Sequence, residues 1–350
     1  MIATYLTAMM TLLNLNPSQH TNSAPLTGKP VHFQIVINEK SITRPVIVIH
    51  NETYCDMDFR KVLNTYIQPC KKEKNHYYFE IPDQQAIKYF SIMVTHKAYT
   101  GKMPTYLLEN YHFEPGDNVL ISLDPLPGTK DDDLNFSGQG SAKYRCLNEY
   151  EGRIMLNPPP KGPIYTKRGN YNPYNQFTVT RDLLLEVVDK FEPEISEASY
   201  NLLRMDIMAK QTRELVDDFY ECIAMALENN DMQAYERMSA DYRERANVNT
   251  DFPGTNSLKY FSREYAQLMV RKIACDYLDQ YQRINYSGVY IEIMKIENAA
   301  LRDKMTVAFF ILYKNEANFS ADQNSVLDHA LSHIQDKDCL KKMSFYTARR

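Results

Sequence analysis

Residues 133–146 read DLNFSGQGSAKYRC, and the fold divides there. The stretch follows an apolar run and carries the G-x-G opening of a nucleotide fingerprint at Gly138 and Gly140. A dinucleotide site needs strand, G-x-G-x-x-G and helix within one βαβ unit. The third glycine lets the helix pack on the strand while the helix amide end holds pyrophosphate. Here the third glycine position is Lys143, no parallel β-α alternation surrounds it, and no Walker sequence occurs. The two glycines are therefore expected to supply permissive dihedrals where the last strand of a β-rich region turns away.

Upstream of this point the chain reads in strands. VHFQIVIN (31–38) alternates apolar and polar residues, PVIVIHN (45–51) repeats the β-branched pattern, and HYYFEI, YFSIMVTH and NVLISLD follow. Turn chemistry separates them, including Pro115-Gly116-Asp117. Short strands divided by such turns predict an antiparallel β-sandwich over 25–145, each strand burying one face.

Downstream the character changes. Residues 146–180 read as a linker or ordered surface loop, because 156–177 crowd Pro, Gly, Asn and Tyr without periodicity. From Arg181 to residue 350 the spacing is helical, with an apolar stripe through Leu202, Leu203, Met205, Ile207, Met208 and Leu215. Further helices are expected at 231–246, 257–283 and 289–313, the last broken near Ala300, and a final helix to about Asp336 opens on the capping box Ser320-Ala-Asp-Gln323. The fold class is α+β: an N-terminal antiparallel β-sandwich followed by a mostly α-helical region.

Composition bounds the function. Of 350 residues, 44% are hydrophobic and 24% charged, with a formal net charge of −4, so nothing resembles the basic stripe that nucleic acid requires. No run approaches a membrane span. The apolar stretch from Ile2 to Leu15 fits either a secretory leader over 1–24 or an N-terminal helix. The six cysteines, at 55, 70, 146, 222, 275 and 339, include no C-x-x-C pair, so redox and zinc motifs of that type are absent. His329 and His333 stand at metal-ligand spacing on the last helix, yet Ala330 occupies the place where a zincin carries its catalytic Glu. Neither a metal nor a cofactor is expected, and no G-x-S-x-G elbow marks a hydrolase. The adjacent carboxylates Asp217 and Asp218 point apart on a helix.

YHFEPGDNVLISLD (111–124) followed by LNFSGQGSAKY (134–144) resembles the end of the β-rich N-terminal region of TlpA-like thiol–disulfide oxidoreductases of the Bacteroidota. The matching residues are Pro115, Gly116, Asp117, Phe136, Ser137, Gly138, Gly140 and Tyr144. IENAALRDKMTVAFFILY (296–313) is similar to the family's helical segment ahead of its catalytic domain, through Asn298, Leu301, Arg302 and Asp303. The resemblance implies a cell-envelope or periplasmic location and a thioredoxin-like redox protein as partner. In that family a thioredoxin domain with W-C-x-x-C follows, and these 350 residues hold no counterpart, so no residue carries over as catalytic. The expectation is a non-catalytic accessory region, truncated or stand-alone, serving recognition or positioning at clefts where sheets meet helices. Tyr165, Tyr171 and Tyr174 are the candidate contact surface. A glycan- or peptide-binding module using those tyrosines is the alternative.

Overall fold

The computed structural model describes residues 28–38, 42–50, 65–84, 86–96, 105–125, 132–156, 173–246, 262–283, 285–313 and 321–347. Among the described residues nine strands come first: β1 Lys29–Ile37, β2 Ile42–His50, β3 Thr65–Ile67, β4 Lys71–Glu73, β5 His76–Gln84, β6 Lys88–His96, β7 Thr105–Phe113, β8 Asn118–Pro125 and β9 Asp132–Gln139. Nine α-helices follow among the described residues: α1 Ser141–Leu156, α2 Pro173–Phe191, α3 Glu197–Glu228, α4 Met232–Asp241, α5 Arg263–Tyr281, α6 Tyr286–Met294, α7 Ala299–Tyr313, α8 Ala321–His333 and α9 Lys337–Thr347.

The strands form two open sheets, ordered β4-β5-β1-β8-β9 and β3-β2-β6-β7. Alternation in β1 buries Val31, Phe33 and Ile35 on one face. The same period in β8 buries Val119, Ile121 and Leu123. The apolar faces of both sheets contribute to one core, in which Phe33 of β1 lies 5.0 Å from Phe90 of β6, centroid to centroid. The expectation of purely antiparallel pairing is corrected, because β1 and β8 run parallel, from His32↔Asn118 to Ile37↔Leu123. Alternation records which face a strand buries and is silent on the direction of its neighbour.

The linker expected over 146–180 is helical at both ends. Residues 141–156 form α1 and α2 begins at Pro173, with the Pro-rich middle outside the described residues. Pro at the first helical position suits α2, since its missing N–H belongs to a turn with no partner to lose. Helix α1 is short of strong apolar periodicity because it serves two cores at once. Tyr144 is buried in the sheet core, while Cys146 belongs to the cluster formed with α2 and the start of α3.

Helix α3 spans 32 residues, about 48 Å at 1.5 Å per residue. Ser196 caps it by accepting the Ser199 amide hydrogen at 3.0 Å. Its stripe packs against α5 in the main helical core, which continues through α6, α7 and the C-terminal helices. The helix expected to break near Ala300 is divided between Met294 and Ala299, and Asn298 caps α7 through the Leu301 amide at 3.0 Å. The segment expected as one helix over 231–246 is α4 followed by a π-turn, Tyr242–Ala246. The Ser320 hydroxyl of the expected capping box lies outside the described residues.

Candidate functional site

The motif residues of the Gly-rich stretch and of the PGD turn meet in one buried charged knot. Lys143, only 2% exposed, donates to Asp117 Oδ1 at 2.7 Å and to Glu114 Oε2 at 3.0 Å. Tyr144 donates to Asp117 Oδ2 at 2.9 Å, and the Glu114 amide reaches the same oxygen at 3.0 Å. Ser196, the cap of α3, donates to Glu114 and so draws the helical region onto the turn. Gly138 and Gly140 sit at φ +97° and +82°. A Cβ on Gly140 would fall 2.1 Å from Asp117 Oδ1, and one on Gly138 2.3 Å from the Asn118 carbonyl oxygen. The glycines thus permit the chain to close around Asp117, and Lys143 is spent on carboxylates rather than offered to a phosphate.

The residues of the second resemblance also have structural roles. Leu301 is in the core, Arg302 donates to the Ile296 carbonyl at 3.1 Å, and Asp303 accepts the amide hydrogens of Gln335 and Asp336 at 2.8 Å each.

A cavity of about 250 Å³ lies where the second sheet meets the helices. Its apolar lining comes from the helices: Leu147 and Ile154 of α1, Val188 of α2, Leu203 and Ile207 of α3. Its polar lining includes Tyr89 of β6, Glu109 and Asn110 of β7, and Arg263 and Glu264 of α5. Tyr150, Glu151, Asp206 and Lys210 complete the rim from α1 and α3.

A β-bulge shapes the polar lining. Tyr111 pairs with Phe90 and Leu108 with Ile92, so Glu109 and Asn110 together oppose Ser91. Asn110 takes φ +61°, a left-handed conformation that Asn tolerates better than most residues. Its amide donates to Ser91 Oγ at 3.0 Å and its side-chain oxygen accepts from Arg263 Nη1 at 2.8 Å. Arg263 Nε donates to Glu264 at 2.9 Å, and Arg213 pairs with the same carboxylate at 3.3 Å.

Asp206 links three elements at the cavity. It accepts from Tyr89 at 2.5 Å and from Ser262, the cap of α5, at 2.6 Å, tying β6, α3 and α5 together. Burial pushes its carboxyl up to about 6, against the pull of its two hydroxyl donors. Glu151 accepts from Tyr111 at 3.1 Å, and burial likewise raises it above the usual carboxylate range. His112 is paired with Ser199 at 2.9 Å, and burial, with the Lys143 charge, holds its imidazole well below the ordinary histidine range.

Of the sequence candidates, Tyr165 and Tyr171 lie outside the described residues, and Tyr174 falls in the first turn of α2. The tyrosines in the cavity are Tyr89 and Tyr150 instead. Sequence reasoning misses the whole site, although two signals are present: Asn110 interrupts the alternation of TYLLENYHF, and Asp206 interrupts the apolar stripe of α3. His329 and His333 stack at 3.9 Å, with His329 Nδ1 on the Tyr290 hydroxyl at 2.8 Å, and no cluster of three ligating side chains occurs among the described residues. Asp217 pairs with Arg271 at 2.6 Å. Cys70 is exposed, while Cys146, Cys222, Cys275 and Cys339 are buried. Burial pushes Cys146 up to about 12 and raises Cys275 as well. Cys55 lies outside the described residues.

No protein-family model matches this chain, and searches of curated proteins and of solved structures find no match. Among the described residues, no helix is long and apolar enough to cross a membrane.

Proposed function

We propose that this chain is a non-catalytic recognition or positioning module, equivalent to the accessory region of a TlpA-like thiol–disulfide oxidoreductase. On this reading it works in the periplasm or at the cell envelope beside a thioredoxin-like redox protein. Its two sheets act as a sandwich that presents one rim to the helices, and the ligand enters between them. The observation that carries the reading is the junction cavity, where a strained Asn, a half-buried Asp and a three-membered Arg–Glu–Arg network are arranged around space rather than around packed side chains. Exchange requires an accessible thiolate, and burial disfavours that form at Cys146 and Cys275, which speaks against those two as exchange thiols, while Cys70 is exposed.

A thermal-shift screen of small polar molecules against the wild-type chain and an Ile154→Trp variant tests it. Ile154 is half-buried near the end of α1, so an indole there fills the cavity with little disturbance of the fold. Compounds that stabilise the wild type and not the variant are expected. Compounds that stabilise both equally would place binding elsewhere, and reduction of insulin by the isolated chain would contradict the non-catalytic part.

A further inference from the structure

Resting on the cavity as the binding site, we infer that its ligand is a small organic cation: a primary ammonium on a short aliphatic chain, seated between Glu151 and Asp206. Three observations converge on that chemistry. The lining holds four carboxylates, Glu109, Glu151, Asp206 and Glu264, against two cations, Lys210 and Arg263. Arg263 is committed to Glu264 and Asn110, and Glu264 also takes Arg213. Arg263 is thus held by the protein's own groups and reaches Asp206 only through its charge.

Glu151 and Asp206 are in a different state. Their hydrogen bonds come from the neutral hydroxyls of Tyr111, Tyr89 and Ser262, which satisfy lone pairs but bring no countercharge. Glu214, outside the lining, carries a buried Oε2 with no hydrogen-bond partner among the described residues, as does Glu264, whose Oε2 has only its ion pair with Arg213. Lys210 lies among Glu151, Glu214 and Glu264 and draws each carboxyl down, yet among the described residues it forms an ion pair with none of them. The groups facing the pair from β7 add no positive charge, Glu109 being acidic and His112 held neutral by burial. An entering ammonium supplies both the missing charge and up to three N–H donors, whereas an anion would add like charge to an acidic site.

The apolar lining fixes the rest of the ligand. Leu147, Ile154, Val188, Leu203 and Ile207 line the same cavity beside the carboxylates and offer contact for methylene groups. The volume of about 250 Å³ falls below the roughly 300–1,000 Å³ of sites for drug-sized molecules, which limits the ligand to a few carbons.

The test is calorimetric titration with n-butylamine, n-butanol and butyrate at neutral pH and low salt, on the wild type, Glu151→Gln and Asp206→Asn. Butylamine alone should bind, and Glu151→Gln, which keeps the Tyr111 hydrogen bond, should weaken it roughly tenfold or more with unchanged thermal stability. Repeating the wild-type titration at pH 6 in buffers of different ionisation enthalpy should show proton release, because pairing with the ammonium ionises Asp206. The Asp206→Asn variant should lose that release even if its stability changes. Binding of butanol as tight as that of butylamine, or a preference for butyrate, overturns the cation assignment and leaves the cavity standing as a binding site. Failure of all three probes overturns both.

Discussion

Single residues on either side of α1's first turn carry opposite signs for the same chemical change. Gly140→Ala places a Cβ 2.1 Å from a buried carboxylate oxygen and forces a side chain into the left-handed region. It should destabilise by roughly 2 kcal/mol or more. Gly152, inside α1, has open space where a methyl would go, with no neighbouring atom within 4 Å, so Gly152→Ala should stabilise by about 0.5–1 kcal/mol. Urea midpoints of the two variants decide the point. Lys143→Met strips the countercharge from Asp117, which is 4% exposed, and should cost about 3–5 kcal/mol. Adding Asp117→Leu should recover only part of that loss, since Glu114 still lacks its countercharge and the Tyr144 hydroxyl and Glu114 amide lose their acceptor. At this scale the sequence is readable in part: the φ requirement assigns the glycine pair to a turn, but nothing in the string says that Lys143 folds back onto the PGD turn 26 residues earlier.

Between elements, two titratable groups hold the sheet to the helices and push stability in opposite directions with pH. Asp206 keeps its proton to about pH 6 in the folded chain and gives it up near the ordinary carboxylate value, about 4, when unfolded. Its contribution is therefore greatest below pH 4 and is lost as pH rises to 6, on the order of 3 kcal/mol from the shift. His112 is depressed, so its contribution is full above the unfolded value of about 6.5 and declines as pH falls. Between pH 4 and pH 7 the two effects oppose each other, so the slope of urea-unfolding stability against rising pH should become more positive than the wild type's in Asp206→Asn and more negative in His112→Gln. Element existence is legible from period alone, because β1, β8 and α3 bury long apolar stripes. Pairing direction is not, and neither is α1, whose apolar residues divide between two cores and blur its period.

For the whole molecule, thiol accessibility follows from where the cores sit. Brief alkylation of the native chain followed by peptide mass spectrometry should label Cys70 and spare Cys146, Cys222, Cys275 and Cys339, with all four reacting once urea is added. Rapid native labelling of Cys146 would mean that the α1–α2 cluster opens, and with it the wall of the cavity. The division into a β-rich and a helical half can be seen in the sequence as a change of period at Gly138–Gly140. The site cannot, because it is made by residues from β6 to α5, some 175 positions apart, whose meeting depends on how the second sheet docks against α3. The measurement that tests this most directly is methyl NMR of the Ile, Leu and Val side chains during titration with n-butylamine. Shifts concentrated at Leu147, Ile154, Val188, Leu203 and Ile207 are predicted; shifts confined to the α6–α9 core, or none anywhere, would contradict the junction cavity as the working site.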